Sequence, residues 1–142
     1  MLINFFKNIF GKQPPHDPKI ILVVDDTDAD RHLSQKILEK QGLKTIAATN
    51  GRMGVSMARD YRPNLILMDY MMPELNGIEA CRILKNDPKT RSIPIIFLTS
   101  LDTPHSVVEC FEQGADIFLT KPVKTNDLIK QVELTLADKT RI

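Results

Sequence analysis

From Lys19 onward the chain alternates short apolar runs with stretches of helical spacing, and that alternation leaves few folds open. Ile20 to Val24 is followed by Ala29 to Gln41, in which Leu33, Ile37 and Leu38 recur at helical intervals before Gly42. Lys44 to Ala48 precedes a helix expected from Arg52 to Tyr61, and Pro63 leads into Leu65 to Met68. Asn76-Gly77 opens a third helix with Ile78, Cys81 and Leu84 as its inner stripe, closed by Asn86-Asp87-Pro88. Ile93 to Leu98 reads as the fourth strand. Thr103-Pro104, a cap and a first-turn proline, opens a helix whose inner face is expected to hold Val107, Val108 and Phe111 before Gly114. Ile117 to Thr120 and a helix from Thr125 to Leu136 complete the series. Five βα units imply an α/β fold: a parallel sheet covered by helices on both faces. Uninterrupted apolar strands such as Leu65-Ile66-Leu67-Met68 suit burial on both sides.

At 142 residues the chain is one domain's worth, long enough to bury a core without staples. Nineteen basic against eighteen acidic residues give no electrostatic footprint for nucleic acid, so no direct nucleic-acid partner is expected. Cys81 and Cys110 fall within helical patterns and are expected as free thiols in the core. His32 and His105 take positions expected to be exposed rather than catalytic. No apolar run reaches membrane-spanning length and no secretory leader is recognisable, so a cytoplasmic protein is expected.

Residues 1–12 stand apart. Leu2, Phe5, Phe6, Ile9 and Phe10 recur at helical spacing with Asn4, Lys7 and Asn8 opposite, which predicts a short amphipathic helix. Gly11 ends it, and residues 13–18, Gln13-Pro14-Pro15-His16-Asp17-Pro18, read as an extended linker to a domain spanning 19–140. So short a helix needs a surface to lie on: a membrane, a partner protein, or this protein's own body or a second copy.

The chemistry-bearing residues sit where the apolar runs end. Strand one ends in Asp25-Asp26, strand three in Asp69, strand four in Thr99-Ser100 and strand five in Thr120-Lys121-Pro122, while strand two ends without an ionisable group. With the second strand at the sheet edge, the others converge on one crevice at the carboxyl ends of the strands. Three close carboxylates repel one another unless a cation joins them, and oxygen donors without His or thiolate favour Mg²⁺. An ammonium from Lys121 and a hydroxyl from Thr99 would complement the oxygens of a transferring phosphoryl group, with an Asp oxygen attacking in line.

These motifs, Val23-Val24-Asp25-Asp26, Leu67-Met68-Asp69-Tyr70-Met71-Met72-Pro73 with Asn76-Gly77, Leu98-Thr99-Ser100 and Lys121-Pro122, closely resemble the receiver domain of two-component response regulators, of the stand-alone type found in chemotaxis. The resemblance runs from Pro18 to Asp138. It implies a flavodoxin-like (βα)5 fold with strand order 2-1-3-4-5. It also implies that Asp69 accepts a phosphoryl group from a histidine kinase or histidine phosphotransfer protein. Asp25, Asp26, Asp69 and the backbone carbonyl of Met71 would hold Mg²⁺, Lys121 would pair with the phosphoryl group, and Thr99 would move toward it. Phe118 matches the family's rotating aromatic, which would reshape the surface of helix four, strand five and helix five for a downstream protein target. On this reading the protein is a signalling switch and not an enzyme, beyond slow hydrolysis of its own acyl phosphate. Met71 and Leu101 are apolar where many relatives carry polar residues, which predicts a fairly long-lived acyl phosphate.

A relay intermediate, passing the phosphoryl group to another histidine protein, is an alternative within the family. A receiver fold kept as a scaffold without phosphorylation is another. A haloacid-dehalogenase-like phosphatase would need its nucleophile in a D-x-D-x-T/V pattern, which Asp26-Thr27-Asp28-Ala29-Asp30 breaks. A calcium loop beginning at Asp26 fails because Arg31 stands where the turn glycine belongs and Ile37 where the bidentate glutamate belongs. A flavin carrier of similar fold would need a Ser/Thr/Gly-rich phosphate loop where this chain has acids.

Overall fold

Each apolar run ends against a turn-forming or charged residue, and the elements follow those boundaries. The computed structural model describes residues 18–100 and 103–138. The helix expected over residues 1–12, the linker up to Asp17, and Leu101 lie outside the described residues. The strands are β1 (Ile20–Val24), β2 (Lys44–Ala48), β3 (Leu65–Met68), β4 (Ile95–Thr99) and β5 (Ile117–Thr120). They alternate with α1 (Asp28–Glu39), α2 (Gly51–Tyr61), α3 (Gly77–Lys85), α4 (Pro104–Glu112) and α5 (Thr125–Ala137). All ladders are parallel, in the order β2-β1-β3-β4-β5, as the resemblance implied.

Alternation along the strands splits the core in two. Leu22, Val24, Ile66, Met68, Ile95 and Phe97 face α2, α3 and α4, meeting Val55, Ala58, Ile78, Cys81, Leu84 and Cys110. Ile21, Val23, Leu65, Leu67, Ile96 and Leu98 face α1 and α5, meeting Ile37, Leu38, Leu128, Ile129 and Val132. A strand that buries both faces has no polar position to spare, which is why these runs lack the polar alternation of half-exposed strands. Cys81 and Cys110 are buried free thiols, as expected, and burial pushes them up to about 11 and about 12.

Three expectations need correction. The fourth strand begins at Ile95 rather than Ile93, because Pro94 has no N–H for the ladder, although its carbonyl still accepts from Ile66. Leu33 is not on the inner stripe of α1 but 47% exposed; Arg31, Ser34, Ile37 and Leu38 are buried there instead. The Arg31 guanidinium donates to the Asp25 carbonyl at 2.9 Å, and that bond sets the rotation of the helix. In α4, Val108 and Phe111 are 53% and 48% exposed, and Ser106 and Cys110 face the core. The cap explains the phase: the Ser106 N–H and hydroxyl both bond Thr103, whose hydroxyl caps the helix, and this turns Ser106 inward.

Candidate functional site

The last ladder bonds of the sheet place the polar residues. The Asp25 N–H donates to Ala48, the Asp69 N–H to Val24 and the Lys121 N–H to Thr99, so each residue leaves the sheet held by its neighbour strand. Asp25 and Asp69 then make the same local turn. Oδ1 of Asp25 accepts the Thr27 N–H at 2.9 Å, and Oδ1 of Asp69 accepts the Met71 N–H at 3.3 Å. This leaves the two Oδ2 atoms to the pocket, where Lys121 Nζ lies 2.8 Å from Asp25 Oδ2 and 3.6 Å from Asp69 Oδ2. Carboxylate oxygens of Asp25, Asp26 and Asp69 lie within 4.8 Å of one another.

Gly77 lets α3 start against this pocket. A Cβ there would overlap the Asp69 carbonyl and stand 2.7 Å from the Phe97 ring, so only glycine admits this approach. Its N–H donates to the Tyr70 carbonyl at 2.9 Å, and the Asn76 side chain caps the helix through the Glu79 N–H. The Asn76-Gly77 pair thus fixes the return of the chain after Asp69.

Burial first, and then the charge of Asp25, push the Asp69 carboxyl up to about 7, with Lys121 pulling the other way. Burial works to lower the Lys121 ammonium, but hydrogen bonds to Asp25 and Asp30 and the charge of Asp69 raise it overall. Two buried acids, Asp25 and Asp69, with exposed Asp26 beside them hold more negative charge than one ammonium balances. Hard oxygen donors with surplus charge are what a Mg²⁺ ion requires. The residues present therefore fit that ion.

The structure brings together the four ionisable residues that the sequence placed at the strand ends, Asp25, Asp26, Asp69 and Lys121. Thr99 is fully buried at the end of β4 beside Lys121, and Phe118 is half-buried opposite Phe97 in the ladder, packed on the α2–α4 core. The side chain of Met71 is 56% exposed. His32 and His105 are exposed, as expected.

Three participants were not foreseen. Asp30 holds Lys121 Nζ at 3.0 Å, from the first turn of α1. Arg31 is buried with its guanidinium on the Asp25 carbonyl and the Asp28 carboxylate, and that ion pair holds Asp28 below the usual carboxylate range. The i,i+3 spacing of Asp28 and Arg31 was the available signal. Tyr70 donates its hydroxyl to Glu109 at 3.0 Å while its ring lies 6.2 Å from that of Phe97, which ties the loop after Asp69 to α4. Tyr70→Phe should cost about 1 kcal/mol and speed amide exchange in α4 without displacing Asp69. Hydrogen exchange measured along α4 checks this.

Fold and pocket together define a doubly wound α/β domain with an acid-and-lysine site at the carboxyl ends of its strands. The family model of the response regulator receiver domain matches residues 21–133. The chain belongs to the response regulator receiver family, whose members act in two-component signalling and are not conventional enzymes. It is 41% identical to the protein PilH of Pseudomonas aeruginosa over 82% of this chain and 97% of that one. It is 31% identical to the polar-differentiation response regulator DivK of Brucella anthropi over 85% of this chain and 98% of that protein. Among solved structures, the receiver domain of a signal transduction histidine kinase from Syntrophus aciditrophicus superposes with a TM-score of 0.80 at 40% identity, covering 87% and 94% of the two chains. Among the described residues no helix is long and apolar enough to cross a membrane.

Proposed function

We propose that this protein is a single-domain response regulator of the cytoplasm, with a receiver domain over 19–140 in which Asp69 accepts a phosphoryl group from a histidine kinase or histidine phosphotransfer protein. The observation that supports it is the convergence of Asp25, Asp26, Asp69 and Lys121 on one pocket, with Asp69 buried and its Oδ2 turned toward the ammonium. An ionised Asp69 oxygen attacks phosphorus in line; the phosphorus–nitrogen bond to the donor imidazole breaks, and that nitrogen keeps the electron pair and is neutral in the leaving group. Asp25, Asp26, Asp69 and the Met71 carbonyl would hold Mg²⁺, which supplies charge neutralisation for the phosphoryl oxygens. Lys121 leaves Asp30 to pair with the new charge, Thr99 turns its hydroxyl toward it, and Phe118 moves into the space that Thr99 vacates. The surface of α4, β5 and α5 changes with them, and a downstream protein target reads that change. Residues 1–12 attach the domain to a membrane surface or a partner.

Intact mass tests the reading. Incubated with Mg²⁺ and acetyl phosphate, the wild type should gain one phosphoryl group and Asp69→Asn none. A gain in both, or in neither while Mg²⁺ binds, removes Asp69 from this role for small donors.

Met71 offers an exposed apolar side chain beside the site, where nothing on it can orient an attacking water. The acyl phosphate should therefore persist, a property that a relay intermediate shares. Met71→Asn should hydrolyse it several-fold faster, less than the roughly 10²–10⁴-fold that a positioned general acid or base contributes. Equal or slower loss in the variant defeats the idea.

A further inference from the structure

Parallel strands with returning helices give this domain two chemically different ends. The acid pocket occupies the carboxyl ends of the strands; the amino ends, with the carboxyl ends of α1–α4, lie opposite. That opposite end is basic. Lys19 precedes β1, Lys40 and Arg62 cap α1 and α2, Lys44 opens β2, and Lys89 and Arg91 lie before β4, all exposed. Of its acids, Asp87 is ion-paired with Arg59, whereas Glu39 and Asp116 accept from the Thr45 hydroxyl and the Ile95 N–H and keep their charge. Exposed Asp60, Glu112 and Asp138 also lie at this end, and the last-turn bases Lys36, Arg59, Arg82 and Lys85 keep it net positive. Pro18, where residues 1–17 join, emerges at this same end.

Residues 1–12 carry matching chemistry in their sequence. At about 100° per residue, Leu2, Ile3, Phe5, Phe6, Ile9 and Phe10 fall in one continuous arc. Lys7 and Lys12 stand at its two edges, Asn4, Asn8 and Gly11 fill the rest, and there is no acid. Phenylalanines bordered by lysines suit the boundary between acyl chains and anionic headgroups, where a lysine stem follows the apolar face and its ammonium reaches phosphate. Residues 13–17 span about 16 Å if extended, roughly two screening lengths in physiological salt, so the basic end stays within reach of that surface. One short insertion holds weakly, and a basic patch supplies the second signal that stable attachment needs.

We propose that the amino end of this domain docks on an anionic lipid surface, with residues 1–12 in the interface and Lys19, Lys44, Arg62 and Arg91 toward the headgroups. The acid pocket then faces away from the lipid, open to protein partners. This commits the attachment named above to lipid, and it does not depend on the chemistry of Asp69.

The test is sedimentation of the full chain with vesicles of phosphatidylcholine alone or mixed with phosphatidylglycerol. Binding should require phosphatidylglycerol and weaken as salt rises. Phe6→Glu, outside the residues 21–133 that match the receiver family, should abolish it, and Lys44→Glu with Arg62→Glu should weaken it about tenfold or more. Phosphorylation by acetyl phosphate, measured on each variant, separates failure of docking from failure to fold or of the Asp69 reading. Absence of binding to the mixed vesicles, or binding indifferent to Phe6→Glu, overturns the proposal. Self-association in light scattering that Phe6→Glu removes, without vesicle binding, overturns it in favour of a second copy of this chain.

Discussion

Asp69→Asn stabilises the metal-free protein by about 2 kcal/mol at about pH 8 and changes it little at pH 4 or below. The cause is the proton that the native state holds more tightly than the unfolded chain: Asp69 sits at about 7 in the fold against 3.8 outside it. Below the lower value both states are protonated, and the native site is fully stable. Between the two values the unfolded chain ionises first, so stability falls as pH rises, and above about pH 7 the loss is complete. The full shift corresponds to about 4 kcal/mol, which sharing of charge with Asp25 and Lys121 reduces to roughly half. Asparagine keeps the size and the oxygen that accepts the Met71 N–H, and it carries no charge. Denaturant unfolding in chelator at both pH values measures the difference. Mg²⁺ should stabilise the wild type at about pH 8 and leave Asp69→Asn nearly unchanged, since binding to the native state alone adds stability. An asparagine variant no more stable than wild type at that pH would show that the pocket's charge is balanced in another way.

Removing the ammonium acts in the opposite direction. Lys121→Met should cost the metal-free protein about 3 kcal/mol at about pH 8, the low end for breaking a buried pair, because the Lys121 side chain keeps 14% of its surface exposed. Methionine retains the stem and its packing, so the loss reports the charge. Asp25 and Asp69 would face each other without the ammonium, and the buried Arg31 guanidinium beside them is engaged by the Asp25 carbonyl and Asp28. The loss should shrink below about pH 7 as Asp69 takes up its proton, and Lys121→Met with Asp69→Asn should recover most of it. A loss that stays constant with pH would assign Lys121 a packing role. Phosphorylation of Lys121→Met should also become slower, since its ammonium is the cation within 3.6 Å of the Asp69 oxygen.

The fold was legible because burial on both faces leaves a strong mark: Leu65 to Met68 and Ile20 to Val24 are apolar without interruption, and the segments between them carry helical spacing. Which side of a helix turns inward was less legible. In α1 and α4 the rotation follows polar bonds, Arg31 to the Asp25 carbonyl and Ser106 to Thr103, which outweigh the claim of Leu33, Val108 and Phe111 to the core. The pocket's acids were legible as strand ends. Asp30 was not, because its pairing with Lys121 spans 91 residues and depends on how α1 meets β5. The Tyr70–Glu109 bond has the same character: neither residue type signals it, and only the docking of α4 beside the loop after Asp69 brings the two together.

The most direct test of the account is to trap the phosphorylated residue. The chain is treated with Mg²⁺ and acetyl phosphate, reduced with borohydride so that an acyl phosphate becomes an alcohol, digested and sequenced by mass spectrometry. The account predicts homoserine at position 69 and unmodified aspartate at 25, 26 and 30. Homoserine at any of those three positions, with Asp69 intact, would contradict it.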